Sequence, residues 1–410
     1  MTFKQIIRSI HKILGLASGT AVFIVAITGA LWAFKDEVKA LSDDYKYVTV
    51  RDQPVLTPTM VKELAAEMYP GKSLHGTVYN EPGESIEAIF YQESPLFYRS
   101  IFLNPYTGKL LHTEDHLTGF FAWVLDGHMH LWLPDKIGEQ VVGVAILIFL
   151  IMLISGIILW WPKRRKGLKQ RLSFQWKDTT RWKRKNFDLH SIGGFYICVF
   201  ALIFAVSGLA MSYDWFQAGI YKILGGEKEV TFMIPDSPYE FSNKGNVQPI
   251  DRLLPQLWEQ YPEADNFEIH YPHAPTSSIY VEVSNTDGVY YDSDYLFFDQ
   301  TTLAPITSKT IYSTYKDLEL SDKILRMNFD IHVGAIAGLP GKILAFLLSI
   351  LIASLPVTGF LIYWESSKRK AKGGSKCFFE IIAKWNYLMC PERPVNRLFL
   401  MLYCESKVFN

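Results

Sequence analysis

Hydrophobic positions along the chain fall into four uninterrupted blocks. Residues 13–34, 141–161, 192–213 and 343–364 contain no charged side chain. Each is about the 20 residues that a helix needs to cross a hydrocarbon core. Backbone groups cannot stay unpaired in lipid, so four membrane helices are expected. The polar intervals have their own rhythm. Residues 60–69 show helical periodicity, with Val61, Leu64, Ala65 and Met68 on one face, and 87–91 and 98–103 alternate as strands. A turn follows at Asn104-Pro105-Tyr106-Thr107-Gly108. The second interval repeats the plan, with a helix at 250–261, strands at 278–283 and 290–298, and a turn at 299–302. The expected fold is a membrane α-helical protein. It has four transmembrane helices in two parallel repeats, about residues 1–165 and 185–370, with two outward α+β modules. The segments are helix one at 1–34, a first outward domain at 35–139, helix two at 140–162 and a loop at 163–188. Helix three at 189–213, a second outward domain at 214–341, helix four at 342–364 and a tail at 365–410 complete the chain.

Charge sets the orientation. The chain has 41 basic and 41 acidic residues, but they are not evenly spread. Lys163, Arg164, Arg165, Lys166, Lys169, Arg171, Lys177, Arg181, Lys183, Arg184 and Lys185 crowd the short middle loop. Lys4, Arg8 and Lys12 precede helix one, and Lys368, Arg369, Lys370, Lys372 and Lys376 follow helix four. The long intervals are net acidic. The positive-inside bias puts both termini and the middle loop in the cytoplasm. The long intervals then face outward, into the periplasm if the membrane is a bacterial inner membrane. The first apolar run exceeds the 7–15 residues typical of a cleaved signal, so it reads as a retained helix. Cys198, Cys377, Cys390 and Cys404 form no C-x-x-C pair, and none lies in an outward interval. Neither a structural disulfide nor a zinc site is indicated.

Histidines stand at the mouth of every apolar block. His11 is followed by Gly29 after eighteen positions, and His190 by Gly208 after the same interval. His130 and His332 precede blocks two and four, where Gly138, just before the block, and Gly156, and likewise Gly341 and Gly359, are again eighteen apart. Ser or Thr precedes the second glycine each time, as Thr28, Ser155, Ser207 and Thr358. Ionisable groups at membrane depth are costly and usually functional. In parallel repeats, His11 lies across the pseudo-two-fold axis from His190, and His130 from His332. One imidazole from each side suits six-coordinate haem iron. Zinc would want further Cys, Asp or Glu ligands. The expectation is two b-type haems, since no C-x-x-C-H attachment motif is present. His128 is the alternative to His130. Gly15, Gly194, Gly29, Gly208, Gly156 and Gly359 read either as clearance for a porphyrin or as ordinary close helix packing.

The His-x-x-x-Gly openings of helices one and three carry a family resemblance. So does the ending of helix two, Ser155-Gly156-Ile157-Ile158-Leu159-Trp160-Trp161-Pro162, and so do the two helix–strand–strand modules. The chain resembles the PepSY-associated transmembrane proteins, iron-regulated inner-membrane proteins that include di-haem siderophore–iron reductases. The resemblance spans about residues 1–370. It implies PepSY-like outward modules and haem ligands at His11, His190, His130 and His332. It also implies electron transfer from the cytoplasmic side to a periplasmic ferric siderophore, with release of Fe(II).

The partners expected are a ferric siderophore or other ferric chelate, membrane lipid, and a cytoplasmic protein or quinol as electron donor. No nucleic acid is expected. No G-x-G-x-x-G motif follows a strand, so the chain shows no dinucleotide site of its own. The basic middle loop reads as topology or as a dock for an acidic donor. Trp123, Trp132, Tyr213, Trp215 and Phe216 read as an interface belt or as a chelate pocket. The reading from another class is a membrane-anchored binding or inhibitory protein acting on an envelope partner. No role is expected for His75, His112, His116, His270 or His273.

Overall fold

A computed structural model describes residues 2–162, 167–238 and 247–371, the last three as backbone only. Lys163, Arg164, Arg165 and Lys166 of the basic loop lie outside the described residues, as do Cys377, Cys390 and Cys404 of the tail. Helices in the first half of the chain are α1 (Phe3–Trp32), α2 (Lys35–Lys39), α3 (Pro58–Met68), α4 (Gly119–His130), α5 (Asp135–Trp160), α6 (Lys169–Leu172) and α7 (Trp182–Asp188). Then come α8 (Gly194–Ser212), α9 (Asp214–Ile223), α10 (Pro249–Gln260), α11 (Leu320–Arg326), α12 (Asn328–Val333) and α13 (Gly338–Ala371). The strands are β1 (Leu74–Tyr79), β2 (Ile86–Glu93), β3 (Leu96–Leu103), β4 (Leu110–Asp115), β5 (Asn266–His270), β6 (Ile279–Ser284), β7 (Asp294–Phe298) and β8 (Pro305–Ile306).

Four stretches are long and apolar enough to cross a membrane: Phe3–Trp32, Asp135–Trp160, Trp182–Ser212 and Ala335–Lys368. The chain is a multi-pass membrane protein. All four stretches meet in one apolar cluster of Val22, Phe149, Leu153, Ile197, Ala201, Ala205 and Ile352. Large apolar side chains such as Val144, Ile151, Ile154, Val199 and Leu347 point outward. That inversion suits lipid, which is as apolar as the side chains themselves. Small residues permit close approach: a Cβ on Gly19 of α1 would touch Pro356 Cβ of α13 at 3.5 Å.

The polar intervals do not make two separate sheets. Their strands form one eight-stranded antiparallel sheet in the order β4-β3-β2-β1-β5-β6-β7-β8. The two halves join where β1 pairs with β5, from Gly76↔His270 to Tyr79↔Phe267. Helices α3 and α10 cover one face. Val61, Ala65, Leu253 and Leu257 pack there on Ile101, Ile269 and Val281 in a single core. Polar bonds clasp the halves together. Asp251 at the start of α10 accepts from Thr59 N–H of α3 (2.8 Å). Thr77 and the buried Tyr271 share a 2.8 Å bond, and Tyr271 donates to Pro58 O at 2.9 Å. Separate modules would leave β1 and β5 as open edges, a liability that pairing removes. In β1, Thr77 and Tyr79 are buried on one face and Gly76 on the other, so the usual alternation of apolar and polar is blurred, whereas the short β5 alternates.

Candidate functional site

Two opposed imidazole pairs stand at opposite ends of the bundle. His11 on α1 faces His190 with ring centroids 6.3 Å apart and planes at 80°. His128 on α4 faces His332 on α12 at 6.1 Å and 68°. His11 and Gly29 mark the two levels along α1, eighteen residues apart, or about 27 Å at 1.5 Å per residue.

Each histidine sits in a seat built the same way. Its Nδ1 meets the hydroxyl of a Ser or Thr, and its Cε1 meets the glycine that follows. Ser155 lies 2.7 Å from His11, Thr358 3.0 Å from His190, Ser207 2.8 Å from His332 and Thr28 3.4 Å from His128. A Cβ on the next glycine would stand 3.6 Å from His11 Cε1 at Gly156 and 3.1 Å from His190 at Gly359. At Gly208 and Gly29 it would stand 3.2 Å from His332 and 2.9 Å from His128. Gly156, Gly359, Gly208 and Gly29 therefore make room for the imidazoles themselves. Gly15 and Gly194 do not, since they meet Met152 and Leu355 of neighbouring helices in helix–helix packing.

The seats fix the ring tautomer. Each hydroxyl commits its own proton to the preceding turn: Thr28 to Ile24 O, Ser155 to Met152 O, Ser207 to Ile203 O and Thr358 to Ser354 O, at 2.7–3.0 Å. Its oxygen is left to accept. The His128 ring also bonds to the Val25 carbonyl at 2.9 Å, three residues before Thr28. A hydroxyl oxygen whose proton is already committed accepts, so Nδ1 carries the proton. Nε2 keeps its lone pair and makes no hydrogen bond among the described residues. This is the hydrogen-bonding pattern that orients a metal-ligating histidine and raises its basicity.

Local structure delivers each ring. His190 lies in a π-helical turn, Leu189–Gly193, between α7 and α8. Such turns often mark functional sites. His128 and His332 end short helices set against the bundle by tight corners. Leu131 and Trp132 adopt left-handed backbone, φ 55° and 57°, and Gly334 has φ 83°. Trp132 stacks on Trp123 at 4.7 Å and donates to its carbonyl, which holds the strained corner shut.

His130, preferred in the sequence, is not in the pair. Its Nδ1 lies 3.0 Å from Asp126 Oδ1, with Asp135 nearby, on the other side of α4. The spacing to Gly138 misled because the corner differs in length from the one after His332. Helical phase would have decided. Four residues before His128 stands the fully buried Val124, whereas four before His130 stands Asp126.

The pairs fit haem on the chemistry of their donors. Two opposed ring nitrogens bonding a metal at roughly 2 Å each put ring centroids roughly 6 Å apart. Among the described residues no third His, Cys, Asp or Glu ligand joins either pair. Two neutral donors suit a metal whose remaining ligands come from its own macrocycle.

Residues 8–366 match the model of the PepSY-associated TM region. The chain belongs to the PepSY-associated transmembrane family. No curated protein matches it. The family match takes in nearly all of the four apolar stretches, the sheet and all four seats. The architecture of this family member thus places both imidazole pairs on residues that come from different ends of the chain and meet only in the fold.

Proposed function

We propose that the chain is an inner-membrane di-haem reductase. It passes electrons from the cytoplasmic side to a ferric siderophore or similar chelate in the periplasm, releasing Fe(II). The observation that carries this reading is the fourfold seat, which leaves each Nε2 without a hydrogen bond among the described residues, in rings that face each other in pairs 6.3 and 6.1 Å apart. His11 and His190 would hold one b-type haem, and His128 and His332 the other. Haem iron between two imidazoles carries one electron at a time, and its potential follows from its ligands and their hydrogen bonds. The chain's part is to hold the rings, fix their tautomer and keep the levels at the two membrane faces. Basic residues around the middle loop put the His11–His190 level in the cytoplasm and the sheet outside. The electron donor is a separate protein or a quinol.

Variants at each level should fail differently. In oriented membranes with an Fe(II) trap outside, His332→Ala should still accept electrons from the cytoplasmic donor yet reduce no chelate. His190→Ala should block donor-driven reduction, while its other haem, reduced by dithionite, is still oxidised by the chelate. Chelate reduction by His332→Ala at the parent rate would refute the exit site.

A further inference from the structure

The face of the sheet turned away from α3 and α10 carries an unusual row. Across adjacent strands stand Glu87, Val78, Glu268, Glu282 and Tyr295, each in register with the next. Glu268 and Glu282 are directly opposite one another, where side chains lie about 5 Å apart and like charges destabilise. The two carboxyls have different partners. Glu282 accepts from Tyr280 Oη at 2.9 Å and stands in register with Tyr295. Glu268 has no such donors among the described residues. Its Oε1 lies 3.2 Å from His270 Nε2.

The contact between them fits a shared proton: with Glu282 directly opposite in register, a neutral Glu268 carboxyl facing His270 Nε2 avoids two like charges side by side. Packing holds this arrangement. Both groups fold over Gly76, where a Cβ would stand 3.0 Å from Glu268 Oε1 and 3.3 Å from His270 Nδ1. His270 is stacked on Tyr280 at 4.3 Å and edge-on to His75 at 4.8 Å. Glu268 is nonetheless reachable, with 26% of its side chain open.

The row also adjoins the His128–His332 level. Backbone N–H groups of Tyr290 and Tyr291 donate to Asp330, and the Tyr290 ring meets Phe329 at 5.3 Å, two and three residues before His332. The Tyr290 phenol lies within the field of both Glu268 and Glu282.

We propose that Glu268 is the proton donor of the reduction, protonating a donor oxygen of the ferric chelate as its iron leaves. This rests on the reductase reading above. One electron, supplied through the haem proposed between His128 and His332, converts Fe(III) to Fe(II). The iron–oxygen bond breaks with its electron pair on the chelate oxygen. The Glu268 O–H bond breaks and an O–H bond forms on that oxygen, leaving Glu268 a carboxylate that water reprotonates. Chelates with anionic oxygen donors, hydroxamate or catecholate, are the class that needs this step.

Burial, then Glu282 and Glu87, pushes the Glu268 carboxyl up to about 8, and burial with His75 and His273 holds His270 down to about 3. The acid form is therefore present below about pH 8 and lost above it. Facing Glu268 are His75 from β1, Glu87 from β2, Glu282 from β6 and the Tyr290 phenol. Further out stand Asp36, Lys39, Glu114 and Arg326.

Two measurements on the haem-loaded protein test the proposal. Infrared difference spectra between pH 6 and 9 should show a carboxylic C=O band that titrates near 8 and vanishes in Glu268→Gln. Dithionite-reduced protein mixed with a ferric trihydroxamate and an Fe(II) trap should release iron at a rate that falls through the same pH. Glu268→Gln should be roughly 100-fold slower or worse and flat with pH, with haem spectra unchanged and partial rescue in Glu268→Asp. An absent band, or a parental rate and pH profile in Glu268→Gln, overturns the proton role. No chelate-driven oxidation in the parent itself overturns the reductase reading instead.

Discussion

At the scale of single residues, the seats hold four histidines in one tautomer. The hydroxyl–glycine pair does this by giving Nδ1 an acceptor and Cε1 a gap. Gly208→Leu should drive a side chain into the His332 ring, only 3.2 Å from the added Cβ. The expected result is loss or distortion of the haem at that level with the His11–His190 haem unchanged in redox-resolved spectra. Ser207→Ala removes a 2.8 Å acceptor from Nδ1–H. It should weaken haem retention at that level by roughly 10–100-fold and raise its potential, because a less basic imidazole stabilises ferric iron less. Potentiometric titration reads both. His128→Ala should lose the same haem and His130→Ala should not, as their absorption spectra will show. The chain's pattern made His11, His190 and His332 legible, since each stands before an apolar block. It could not separate His128 from His130, because spacing across a corner depends on backbone geometry that no count of residues contains. The seats were half visible: the Ser/Thr–Gly pairs could be read, but their partner is a ring from a distant segment.

Among elements, the short helices before α13 set the position of His332. Helix α11 is anchored to α9 through Asp322, whose side chain is 1% exposed. Lys228 Nζ lies 2.7 Å from its Oδ2, and Tyr221 donates to Oδ1 at 2.5 Å. Burial alone would raise the Asp322 carboxyl, but these bonds outweigh it and hold it below its ordinary value. A carboxyl depressed on folding stabilises above its unfolded pKa of about 3.9. That contribution is lost as pH falls through the folded value. Asp322→Asn should therefore lower Tm at pH 7 and remove part of the parent's loss of Tm below pH 4, followed by thermal unfolding in detergent. Leu257 of α10, fully buried in the core that both halves of the sheet share, makes a second test. Leu257→Ala should cost about 2–5 kcal/mol and loosen both halves together. Protection from hydrogen exchange should fall in β1–β3 as well as β5–β7, and a loss confined to β5–β7 would contradict a single sheet. Helices α3 and α10 and strands β2, β3, β6 and β7 were readable, whereas β1, β4, β5 and β8 were not: β1 is buried on both faces, and β4, β5 and β8 are short.

In the whole molecule, two imidazole pairs stand about 27 Å apart along α1. The four apolar blocks and their charge asymmetry were plain in the sequence because lipid imposes length and composition directly. The repeat also paired His11 with His190, whereas the choice of His128 as partner of His332 and the hydroxyl–glycine seat around each ring arise only when the helices pack. The pyridine haemochrome assay on purified protein tests the central claim most directly. The account predicts two haem b per chain, low-spin and six-coordinate, falling to one in either His190→Ala or His332→Ala. One haem or none in the parent, at full occupancy of the membrane-extracted protein, would contradict it.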